Sequence, residues 1–107
     1  MKLIYVAGPM SKGWFGDHMR KAIDAADRLR AAGFAPFVPH LCFFWDLMGS
    51  GWSYEDWMAY DKAMLLKCDA LLRLPGESHG ADREVAWAQE AGISTYHLIG
   101  GLIRDLK

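Results

Sequence analysis

A chain of 107 residues with 12 Lys and Arg against 13 Asp and Glu carries a formal charge of only −1 with His neutral. That balance, with no basic stripe, argues against nucleic acid as a partner, because phosphate-backbone binding rests on many cations gathered on one face. About half of the residues are hydrophobic (52%), enough for one core in a single domain spanning residues 1–107, and no stretch approaches the ~20 apolar residues of a membrane span.

In chain order, "KLIYVAG" (2–8) is a short apolar run that closes at Gly8-Pro9, the pattern of a buried strand followed by a turn. "DHMRKAIDAADRLRAAGF" (17–34) predicts an amphipathic helix. Met19, Ala22, Ile23, Ala26 and Leu29 recur at helical spacing and Gly33 closes it. "APFVP" (35–39) predicts a second short strand, and "HLCFFWDLMGSGWSYEDW" (40–57) a long aromatic loop. Residues 54–67 predict a second helix. "DALLRLP" (69–75) predicts a third strand, apolar throughout except for Arg73. A third helix is expected over 81–91, a fourth strand at "STYHLI" (94–99), and a last short helix at "GLIRDLK" (101–107).

Strands that alternate with helices predict a parallel sheet covered on both faces. Right-handed crossovers leave few topologies, so the expected fold is α/β: a small flavodoxin-like doubly wound sheet of four to five strands. Ligands of such sheets bind outside the C-terminal strand ends. The segments to watch are therefore Gly8 to Gly16, Pro39 to Ser53 and Pro75 to Glu84.

No GxGxxG fingerprint, Walker A loop or GxSxG elbow is present, and no cofactor is expected. Cys42 and Cys68 show no metal spacing and sit among apolar residues. They read as buried free thiols, which suits a reducing cytoplasm. The apolar part of "MKLIYVAGPM" is too short for a secretory core plus cleavage site. His18, His40, His79 and His97 are scattered and read as non-ligands, so no metal is expected.

Two acids stand out. Asp61 has Trp57, Met64, Leu65 and Cys68 at −4, +3, +4 and +7, so it points with an apolar stripe. A carboxylate there needs partners or a task. Glu84 heads a second stripe through Trp87, Ala88 and Ala91. It either complements its helix dipole or serves a ligand at the end of the third strand. Two such carboxylates meeting in a pocket can divide nucleophilic and proton-handling work, as in glycosyl transfer and hydrolysis. Ser78 and Gly80 form an S-x-G before the third helix. That is either a capped turn or a seat for an anion such as a monophosphate. The aromatics of 43–57 serve as core, as an interface or as a stacking surface for a base.

"IYVAGPM", "YDKAMLLKCDALLRLPG" and "SHGADREVAWA", in that order, resemble the nucleoside 2-deoxyribosyltransferase superfamily. The likeness is strongest to its small members that act as nucleoside 5′-monophosphate N-glycosidases, and it runs from about residue 3 to residue 98. It implies a covalent glycosyl-enzyme with Glu84 as nucleophile and Asp61 assisting proton transfer. It further implies Ser78 and Gly80 at a phosphate, and Tyr5, Gly8, Pro9 and Met10 lining the sugar or base site. The short ending "GGLIRDLK" favours hydrolysis over transfer within this resemblance, and Arg83 is expected to pair with Asp82 or reach a phosphate. The competing readings are base exchange, a non-catalytic nucleotide-binding module, and an interaction domain whose acids pair through arginines. In every enzymatic reading the partner is a small nucleoside or nucleotide. A homo-oligomer is expected from the apolar aromatic loop.

Overall fold

The computed structural model describes residues 1–107. Four strands, β1 (Leu3–Ala7), β2 (Ala35–Phe37), β3 (Ala70–Arg73) and β4 (Ser94–Tyr96), form one sheet in the order β2-β1-β3-β4. Every pairing is parallel. The helices are α1 (Phe15–Ala31), α2 (Cys42–Leu47), α3 (Tyr54–Leu65), α4 (His79–Glu90) and α5 (Ile99–Leu106). The α/β architecture is the expected one, at the lower end of the four-to-five strand range.

The apolar continuity of β1 has a direct cause. Ile4 and Val6 point to one face, into a cluster with Ala22, Leu29 and Leu102 from α1 and α5. Tyr5 and Ala7 point to the other, with Leu65 of α3 and Ala81 and Ala88 of α4. Strands buried on both faces lose the apolar–polar alternation of a half-exposed sheet. The register carries this across the sheet: Tyr5 lies beside Phe37 and Leu71, Val6 beside Leu72, and Ala7 beside Arg73.

Several boundaries differ from expectation. Helix α1 begins at Phe15, and α4 begins at His79, two residues before the predicted start. The latter follows from Ser78, whose Oγ accepts from the Ala81 N–H at 3.0 Å and caps the helix. Helix α3 starts where expected because Ser53 and Asp56 form a capping box, and it stops at Leu65. Strand β4 is three residues long, and Leu98 beyond it is exposed. The predicted aromatic loop contains a 3-10 turn (Pro39–Leu41) and helix α2. None of the α2 residues is buried, and six residues of "CFFWDL" give no polar face to set against an apolar one. No helix is long and apolar enough to cross a membrane.

Candidate active site

At the C-terminal edge of the sheet, the turns after β1, β2 and β3 and the helices α2, α3 and α4 enclose a cavity of about 440 Å³, within the range of small-ligand sites. Gly8 and Met10 come from the turn after β1. A Cβ at Gly8 would stand 3.1 Å from that of Leu74, so glycine lets two strand ends close up beneath the cavity. At Gly76 φ is +117°, and a Cβ would meet the Pro9 ring at 2.7 Å. The first and third turns therefore interlock.

Glu84 projects into the cavity from the second turn of α4 and is only 5% exposed. The phenol of Tyr5, fully buried on β1, donates to its Oε2. Burial pushes the Glu84 carboxyl up to about 8. The Tyr5 hydrogen bond and the charges of Arg73 and Arg83 pull it down, while the neighbouring Asp61 charge pushes it further up. Tyr5 itself is held well above the ordinary phenol value by burial and by those two carboxylates, so it remains a donor. Asp61 reaches the same cavity from α3. Burial pushes it up to about 7, and its Oδ1 is buried without a hydrogen-bond partner.

Six of the sequence-predicted site residues therefore line one cavity: Gly8, Met10, Asp61, Ser78, Gly80 and Glu84. Tyr5 and Pro9 lie behind its wall. Tyr5 holds Glu84, and the Pro9 carbonyl accepts from His40. Arg83 neither pairs with Asp82 nor enters the cavity. It makes a two-pronged contact with Glu55, 3.2 Å at each nitrogen, and lies over the Trp87 ring. Asp82 is taken instead by Arg73, at 3.0 Å. Arg73 also donates to the carbonyls of Leu74 and Gly76, stapling the turn to the first turn of α4. This accounts for one arginine in an otherwise apolar strand.

His40 was hidden among four scattered histidines. It is 1% exposed and lines the cavity, with Nε2 at 3.1 Å from the Pro9 carbonyl. Burial lowers its pKa despite that bond. Its position directly after the second strand was the available signal. Cys42, expected to be buried, is half-buried in the cavity wall, and burial with the Asp61 charge pushes its thiol up to about 11. It is a poor nucleophile at neutral pH. Phe43, Tyr54 and Trp57 add aromatic surface to the wall. Trp57 also packs with Trp45, Trp52 and Tyr60, its ring 4.4 Å from Trp52, and donates Nε1 to Asp46 at 3.2 Å. That cluster ties the segment carrying α2 to α3.

Among solved structures, this fold is that of the 2-deoxyribosyltransferases. A 2-deoxyribosyltransferase from Bacillus psychrosaccharolyticus superposes with a TM-score of 0.67 at 18% identity, over 87% of this chain and 69% of that one. For a 2-deoxyribosyltransferase from Leishmania mexicana the values are 0.64 and 17%, over 89% and 62%. A conserved protein from Enterococcus faecalis V583 gives 0.68 and 20%, over 89% and 61%. The chain thus spans between 61% and 69% of the length of these proteins. By sequence it belongs to the family described as a domain of unknown function (DUF4406), whose model matches residues 2–96. No curated protein sequence matches it.

Proposed function

We propose that the protein cleaves the N-glycosidic bond of a nucleoside or nucleoside 5′-monophosphate. One observation carries the reading: a buried carboxylate, Glu84, held by a buried phenol, shares a cavity with a second carboxylate, Asp61, that has no protein partner. Glu84 attacks the anomeric carbon as the bond from that carbon to the base nitrogen breaks, and the bonding electron pair leaves with the base. Asp61 supplies a proton to the departing base. Water then attacks the glycosyl–Glu84 ester at the same carbon and gives its proton to Asp61. The sum is nucleoside plus water giving free base plus sugar.

Burial raises both carboxyls, Asp61 to about 7 and Glu84 to about 8, so the cavity holds a proton near neutrality. The Tyr5 hydroxyl favours the anionic form of Glu84, the form that attacks. Of the two, Glu84 at about 8 keeps its proton to higher pH than Asp61 at about 7, so attack requires that proton to leave Glu84 and Asp61 to carry one to the base. At the other end of the cavity the first turn of α4 offers N–H groups that no helical carbonyl can take, beside Ser78 and Gly80. Lys12, ion-paired with Glu77, stands at the same side. These groups suit the phosphate of a 5′-monophosphate. A second reading, transfer of the sugar to another base, is favoured by the names of two structural neighbours, both 2-deoxyribosyltransferases.

The test is free-base release from a panel of ribo- and deoxyribonucleosides and their 5′-monophosphates, followed chromatographically, with Glu84→Gln beside the wild type. Release that depends on Glu84 is the expected result. If release appears only when a second free base is added, the reaction is exchange. Ligand binding without release under either condition would leave a binding module and overturn the catalytic reading.

A further inference from the structure

Only two buried side-chain polar atoms in the chain lack a hydrogen-bond partner: Nδ1 of His40 and Oδ1 of Asp61. Both belong to residues that line the same cavity. Buried polar atoms are almost always paired, so two exceptions in one cavity point to a ligand that supplies the missing partners.

The state of His40 follows from its one hydrogen bond. A carbonyl oxygen only accepts, so the Pro9 carbonyl at 3.1 Å assigns the ring proton to Nε2. In a neutral ring, Nδ1 is then a bare acceptor. The ring is 1% exposed and burial lowers its pKa, which keeps it neutral. His40 therefore offers the ligand an acceptor and nothing else.

The order of the strands says which part of the ligand it meets. Along the C-terminal edge, the turn after β2 carries His40, β1 stands next, and β3 leads into Ser78 and Gly80. Tyr5 of β1, between them, holds Glu84. Resting on the proposed glycosidase reading, the phosphate end lies toward β3 and the anomeric carbon at Glu84. The base then extends toward β2, among His40, Asp61, Phe43 and Trp57.

We propose that His40 reads the leaving base: its Nδ1 accepts from an exocyclic amino group while Asp61 gives its proton to the adjacent ring nitrogen, so the site prefers amino-bearing bases over their oxo counterparts. The pattern matches the N7 acceptor and 6-amino donor of adenine, and the N3 acceptor and 4-amino donor of cytosine. A 6-oxo purine puts an acceptor against an acceptor at the His40 position. The mismatch leaves two lone pairs facing each other in a buried site, which makes discrimination strong.

The experiment is equilibrium binding to the intact protein of three purine ribonucleoside 5′-monophosphates, differing only in an amino, a hydrogen or an oxo group at C6. Glu84→Gln is used throughout, so that no ligand is consumed. The amino ligand is expected to bind roughly 10- to 100-fold more tightly than either of the others. In Glu84→Gln carrying also His40→Leu, the three should converge to within about threefold, within the reach of an unpaired contact being removed. Because the preference is first read with His40 intact, a failure of that second protein to fold does not remove the test. Equal binding of all three with His40 present, or tighter binding of the oxo ligand, overturns the role of His40 and leaves the glycosidase reading standing. No binding of any of them, together with no base release by the wild type, overturns both.

Discussion

The two faces of the sheet are built from the same strands and do different work. On the α1/α5 face, Ile4, Val6, Leu72, Leu29 and Leu102 belong to a cluster whose buried residues include no titratable group. On the α3/α4 face, Tyr5 and Arg73 take the places beside Ala7 and Leu71, and the helices add Glu84 and Asp61. In the proposed mechanism, neighbouring residues of one strand thus serve stability and chemistry in alternation. The second face gives up stability by burying acids that would rather be ionised in water, a cost that active sites commonly carry. Substitutions on the two faces should therefore separate stability from activity.

The largest effect belongs to Glu84. Glu84→Gln keeps the shape and an acceptor for Tyr5 but removes the proposed nucleophile. Base release should fall at least about a thousandfold in a steady-state assay, with the fold retained by circular dichroism. On the opposite face, Leu72→Ala, at a site 1% exposed, should destabilise by about 2–5 kcal/mol in urea unfolding. Its activity per folded molecule should stay within about twofold, since nothing in the proposed mechanism touches that cluster. A comparable loss of activity per folded molecule would break the division between the faces.

The acids also predict how stability depends on pH. A carboxyl raised from 4.5 to about 8 at Glu84, and from 3.8 to about 7 at Asp61, holds its proton in the folded chain after the unfolded chain has lost it. Stability from these groups is complete below pH 4 and is lost as pH rises through 7 and 8. Glu84→Gln should consequently be no more stable than wild type near pH 4 and more stable by a few kcal/mol, in order of magnitude, near pH 9. Melting temperatures measured across that range check it, and a constant difference at all pH values would contradict burial as the cause. Tyr5→Phe removes the bond that favours the anion of Glu84. The rising limb of the pH–rate profile should move to higher pH and the rate at neutrality should drop, by about tenfold, with a loss of stability of about 1–3 kcal/mol for the buried partner left unpaired. The smallest effect is expected from Ser78→Ala, which loses the cap of α4 and costs about 1 kcal/mol. If Ser78 also serves a phosphate, this variant should raise KM for 5′-monophosphates more than for nucleosides.

Much of this was legible in the sequence because the signals are local. β1 is apolar without interruption and β3 is apolar up to Arg73, and α1 has a buried stripe through Ala22, Ala26 and Leu29. Asp61 and Glu84 could be picked out because an acid in line with an apolar stripe is visible within about a dozen residues. What escaped was carried by contacts distant along the chain. The Tyr5 phenol meets a carboxylate 79 residues away, and His40 is fixed by a carbonyl 31 residues away. Neither partner leaves a mark on the neighbouring residues. Helix α2 escaped for a different reason. With no buried face, its aromatics carry no period to read.

The central claim is that Glu84 forms a bond to the sugar. Its most direct test is mass spectrometry of the protein after reaction with a nucleoside 5′-monophosphate bearing 2′-fluorine, a substituent that slows breakdown of the ester. The account predicts one equivalent of base released, a mass increase of one fluorosugar phosphate, and the label on the peptide containing Glu84. Base released catalytically with the protein mass unchanged throughout, or the label on Asp61, would contradict it.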